Sequence, residues 1–107
     1  MESIAIDVLS SQRFTFTAGG NNYKLKIYSI DGHMSYDLFI NSIEIVAGFK
    51  IVNDIPLLPY PHQEVNGNIL LQIPEDEIPD YTRFGLSQFL YYLTEDETTA
   101  YRLAANL

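Results

Sequence analysis

"RFTFTAGGNNYKLKIYS", residues 13–29, sets the grammar of this chain. Phe14 and Phe16 alternate with Arg13, Thr15 and Thr17, so the aromatic side chains share one face of an extended segment. Leu25 and Ile27 alternate in the same way with Lys24 and Lys26. Between the two runs lies "GGNN" (19–22), whose residues tolerate the positive φ of a tight turn. The stretch predicts a β-hairpin with one apolar and one polar face.

The same pattern continues outward. "DGH" (31–33) turns the chain, and "MSYDLFI" places Met34, Tyr36, Leu38 and Ile40 on one face. "NS" (41–42) is a two-residue turn into "IEIVAGFKIV" (43–52), where Gly48 marks a bulge or bend. Upstream, "IAIDVL" (4–9) reads as an earlier strand. Downstream, "VNGN" (65–68) is a tight turn, "ILLQI" (69–73) a short strand, and "PEDEIPD" (74–80) an acidic loop. A turn at Gly85 leads to a strand over 88–94. These signals predict an all-β fold, a small antiparallel β-barrel or sandwich of six to seven short strands. Residues 1–97 form the single β domain. Residues 98–107 are a C-terminal tail, too short for a helix that stands alone and so either docked or disordered.

The 107 residues are 47% hydrophobic and 19% charged, which suits one folded domain and not a disordered chain. With no cysteine, disulfides and thiolate chemistry are excluded. No apolar run reaches the roughly 18 residues of a membrane span. The start carries no basic or apolar leader, so synthesis in the cytoplasm is expected. The net charge of −8 is lopsided: residues 54–107 hold nine acids against Arg83 and Arg102 alone. Six bases in all are too few and too scattered for a phosphate backbone, so direct nucleic-acid binding is not expected.

Chemistry is hard to find. His33 and His62 lie 29 residues apart without zinc-ligand spacing. The "EDE" triplets at 75–77 and 95–97 lack the calcium-loop pattern and read as solvated loop charge. There is no nucleophile motif and no phosphate loop. The sequence therefore predicts no enzyme, no cofactor and no metal. Tyr28, Tyr91 and Tyr92 raise one alternative, a stand-alone module binding a glycan or peptide.

The remaining feature is "IPLLPYPH" (55–62), with three prolines in six residues. Pro56, Pro59 and Pro61 fix their own φ and hold the residues before them extended. The result is a stiff strap carrying Leu57, Leu58, Tyr60 and His62. Either it caps the open end of this domain, the expectation for Leu57 and Leu58, or it offers a partner an edge, an option strongest for Tyr60 and His62. The candidate partner interface is Pro56, Leu58, Pro59, Tyr60, Pro61 and His62, with Tyr101 and Leu103 from the tail.

Taken in order, "FTFTAGGNNYKLKIYS", "YDLFI…IEIVAGFKIV", "LLPYPH", "GNILL" and "FLYYLTEDE" resemble the phage baseplate plug family, small proteins of contractile-tailed phages. The resemblance spans residues 4–97 and is most specific at Leu57–Pro61 with Gly67–Leu71. It implies a structural role in the virion, at the tail tip. Partners would be the baseplate hub and tail-tube or tube-initiator proteins, with multiple copies in a symmetric assembly. It also implies closeness to the DNA conduit, where an acidic half would keep DNA from sticking.

Overall fold

A computed structural model describes all residues, Met1–Leu107. The strands are β1 (Glu2–Ile4), β2 (Ser11–Ala18), β3 (Asn21–Ile30), β4 (His33–Ile40), β5 (Ile43–Lys50), β6 (Gly67–Gln72) and β7 (Phe89–Thr94), and the one helix is α1 (Glu95–Ala105). They form two antiparallel sheets, β2-β3-β4-β5 and β1-β7-β6. The expected all-β fold is borne out as a two-sheet sandwich.

The four-stranded sheet is the meander that the alternation predicts. Tyr23, Leu25 and Ile27 of β3 are fully buried, and Met34, Tyr36, Leu38 and Ile40 of β4 lie on the same inner face. In register, Leu25 opposes Leu38 and Ile27 opposes Tyr36. Each buried Leu or Ile contributes roughly 1.5–3 kcal/mol by leaving water. The β3–β4 and β4–β5 turns hold Asp31 and Gly32, and Asn41 and Ser42, at positive φ. That is the geometry a two-residue hairpin needs.

Gly48 does mark an irregularity: the β4–β5 register shifts around Leu38, and Gly48 has φ +67°. The Asp37 carboxylate accepts from the Gly48 N–H (2.7 Å) and from the Tyr28 hydroxyl (3.0 Å), which pins the bulge.

In the second sheet, Ile69 opposes Tyr92 and Leu71 opposes Leu90, and all four join the core between the sheets. Leu70 and Leu93 point to the other face and are buried there as well. α1 packs over β6 and β7 on that side, and the Thr98 hydroxyl donates to the Leu93 carbonyl.

Two local expectations are corrected. The segment 4–9 is not a strand: β1 ends at Ile4, and residues 5–10 are irregular. The Gln12 carboxamide takes the place of a ladder partner, bonding both the N–H and the C=O of Asp7 (3.0 and 2.7 Å). Ile4, which pairs with Leu90, and Ile6, which lies beyond the strand, both pack on the core, so the alternation follows burial past the point where pairing stops.

The second triplet, Glu95–Glu97, is not loop charge but the first turn of α1. Thr94 caps that turn, its hydroxyl accepting from the Glu97 N–H while Glu97 accepts from the Thr94 N–H. Three acids sit at the positive end of the helix dipole and Arg102 at the negative end, and Asn106 closes the helix in the left-handed conformation.

Candidate interaction surface

The proline strap lies along β6. That strand gives one edge to β7, which leaves the other open. Pro56, Leu57 and Leu58 are buried against it. The Leu57 N–H donates to the Ile69 carbonyl (2.8 Å), and the Tyr36 hydroxyl, coming from the opposite sheet, donates to the Leu57 carbonyl (2.8 Å). Burial pushes the Tyr36 hydroxyl well above its ordinary value, so it stays a donor. The prolines need no ladder partner for their missing N–H groups, so they cover the edge without continuing the sheet.

Asn68 is the anchor. It has no exposed surface, and its carboxamide does the work of a missing strand. Oδ1 accepts from the Leu58 N–H (3.0 Å) and the Ile69 N–H (2.7 Å). Nδ2 donates to the Leu58 carbonyl (2.9 Å) and the Glu64 carboxylate (2.5 Å). Arg102 of α1 then bonds both Glu64 (2.9 Å) and the Leu58 carbonyl (2.9 Å). Tyr101 donates to the Asp54 carbonyl at the start of the strap, and burial raises its hydroxyl above the ordinary value. The helix, the strap and β6 are thus tied into one unit.

Beyond Pro59 the chain turns outward into a short 3-10 turn, Pro61–Gln63. The Gln63 side chain accepts from the Tyr60 N–H (3.0 Å), and the Gln63 N–H donates to the Tyr60 carbonyl (2.9 Å). Tyr60 is 52% exposed and stacks on His62, their ring centres 5.8 Å apart and nearly parallel. The two Gln63 bonds and the ring stacking hold Tyr60 and His62 side by side within the chain itself. Leu103 is 83% exposed on α1. Of the eight sequence-derived interface residues, Pro59, Tyr60, Pro61, His62 and Leu103 reach the surface. Pro56 and Leu58 support the strap from beneath, and Tyr101 is half-buried beside it.

The sequence reasoning did not single out Asn68, Glu64 or Arg102. Arg102 stood out only as one of two bases in the acidic half, and Asn68 only as part of a turn signal. The three tyrosines of the glycan or peptide alternative do not form one platform: Tyr28 lies in the four-stranded sheet, Tyr91 in the other, and Tyr92 is buried.

Elsewhere, a groove of about 520 Å³ is lined by His33, Lys50, Val52, Glu75, Glu77 and Ile78, among others. The Glu77 carboxylate there is already committed to neighbours in the chain. Glu77 is held below its ordinary value by hydrogen bonds from Ser87 (2.7 Å) and Gln88 (3.1 Å). No three His, Asp or Glu side chains gather into a metal cage.

A family model described as cyanophage baseplate Pam3 plug gp18 matches residues 1–96. The resemblance drawn from the strand and strap motifs is borne out. No curated protein matches the chain.

Proposed function

We propose that this chain, which belongs to the cyanophage baseplate plug family, is a structural part of a tail baseplate that binds the hub and tube-side proteins through its strap. Family membership supports the baseplate role. The strap supports the mode: Tyr60 and His62 form a rigid, exposed aromatic pair on a segment anchored by buried hydrogen bonds. Such a pair presents contact area at little further entropy cost, and Tyr is favoured at interfaces. Pro59, Pro61 and Leu103 extend the surface. The exposed acids Glu75, Asp76, Glu95 and Asp96 repel nucleic acid, in keeping with a position near a DNA conduit.

The test is complementation. Tail particles are assembled with Tyr60→Ala, and the incorporated chain is quantified. Tyr60 contributes no buried core, so the isolated variant should stay within about 0.5 kcal/mol of the parent in stability. Incorporation should nevertheless fall by at least tenfold, the effect of losing about 1.4 kcal/mol or more at an interface anchor. Normal incorporation of Tyr60→Ala would remove the strap from the interface.

A further inference from the structure

A sandwich of two open sheets has four edge strands, and each is a template for another chain unless it is protected. Three of the four are protected here. β6 is covered by the proline strap. β5 is broken by the bulge at Gly48. β1 is only three residues long. The fourth edge is β2. It runs eight residues in unbroken register with β3, from Ser11↔Tyr28 to Ala18↔Asn21. It contains no proline and no bulge.

The direction of its free groups follows from that register. The Ser29 N–H donates to the Ser10 carbonyl, so residues 10, 12, 14, 16 and 18 turn their backbone groups toward β3. Ser11, Arg13, Thr15 and Thr17 turn theirs outward. None of these outward N–H or C=O groups has a partner elsewhere in the fold. Beside this edge lies a cleft of about 310 Å³ between β2 and β1, lined by Phe14, Phe16, Ala18 and Ile4 on its apolar side and by Glu2 on its far wall.

The charge at this edge is also singular. Half of the chain's six bases are Arg13, Lys24 and Lys26, and all three lie on the outer face of β2 and β3. Arg13 stands directly opposite Lys26, a like-charge pair that the fold tolerates at some cost. Neither Lys24, Lys26 nor Arg13 is in an ion pair. The two lysines lie over the Phe39 and Tyr28 rings instead (4.4 and 5.3 Å), and Asp37, which opposes Lys26, is occupied by Gly48 and Tyr28.

We infer that β2 receives an extended strand from a neighbouring protein, one in which acidic residues alternate with apolar ones. The strand would extend the sheet through the outward groups of Ser11, Arg13, Thr15 and Thr17. Its acidic side chains would meet Arg13, Lys24 and Lys26 on the outer face, and its apolar ones would enter the cleft beside Phe14 and Phe16. This goes beyond the strap interface to a second, separate surface, but it rests on the baseplate role.

The experiment compares amide hydrogen exchange of this chain alone and within purified tails. An immunoassay first establishes that the tails contain the chain; its absence from them would overturn the baseplate role itself. Where it is present, the outward amides of β2 should exchange at least about tenfold more slowly in tails than in the isolated chain. Bulged β5 should be unchanged. Equal exchange of β2 in the two states would overturn this inference alone. So would an isolated chain that dimerises with its β2 amides already protected, since a second copy would then be the occupant. Thr15→Pro supplies an independent variant. The Thr15 N–H makes no ladder bond, so the fold should survive while pairing is blocked. Arg13→Glu should lower incorporation, and unchanged incorporation of both variants would refute the assignment.

Discussion

Replacing Asn68 by Ala should uncouple the strap from the sheet. Two backbone donors depend on its Oδ1. The Ile69 N–H faces the strap, as does the Ile69 carbonyl that accepts from Leu57, so it has no β7 partner to fall back on. The Leu58 N–H likewise bonds only Asn68. Both residues are fully buried. Each orphaned buried donor costs roughly 1–3 kcal/mol, so the two together cost about 2–6 kcal/mol. The Leu58 carbonyl keeps its bond from Arg102 and adds little to the loss. A domain of this size has about 5–15 kcal/mol in total, so the change is a large share. With a urea m-value near 1.5 kcal/mol/M, the midpoint should fall by about 1.3–4 M. Urea titration measures that shift, and hydrogen exchange reads the Leu58 and Ile69 amides directly. Asn68→Asp separates the roles. It keeps the acceptor for both donors but sets a second carboxylate against Glu64, so it should lose stability while retaining more protection at those two amides than Asn68→Ala. A loss below about 0.5 kcal/mol for Asn68→Ala, with both amides still protected, would show that the strap does not depend on this side chain.

Two glycines should both lose stability on the same change, but by different amounts. Gly67 has φ +153°, and a Cβ there would collide with the Leu93 carbonyl and the Tyr92 hydroxyl, so Gly67→Ala should cost well over the roughly 1–3 kcal/mol of backbone strain alone. At Gly48 a Cβ meets only the Tyr28 hydroxyl at 3.8 Å, so Gly48→Ala should cost about 1–2 kcal/mol; thermal melts of the two variants check the order. Acid should loosen the loop from Pro74 to Gln88. Glu77 is held below its ordinary 4.5 by Ser87 and Gln88, and Asp80 below its ordinary 3.8 by the N–H and hydroxyl of Thr82. Because the folded values are lowered, the stability they add is complete above the ordinary values and is lost as pH falls through the lowered ones. Urea midpoints should therefore be flatter above pH 5 and drop below pH 4.5, and Glu77→Gln should show a smaller drop than the parent.

Local alternation sufficed for the meander from β2 to β5. Inward Leu25 and Ile27, and inward Met34, Tyr36, Leu38 and Ile40, could be named from spacing because each strand pairs with its sequence neighbour across a short turn. The start of α1 was legible too, in Thr94 followed three residues later by Glu97, but the acidic triplet drew attention to its charge and away from its cap. The strand expected at 4–9 failed because alternation reports burial, and Ile6 is partly buried from an irregular segment.

The strap shows where sequence stops. Its prolines dictated a stiff extended segment, and its leucines dictated that something be covered. That the covered element is the open edge of β6 depends on contacts between residues far apart in the chain: Leu57 with Ile69, Leu58 with Asn68, Tyr36 with Leu57, Arg102 with Glu64. By itself the sequence determined the strand periods, the turns, the acidic second half and the family motifs, because these are set by neighbouring residues and by composition. Only the tertiary structure decided which edges are closed and which one is open, because an edge exists only once the sheets have formed and each backbone group has found, or failed to find, its partner.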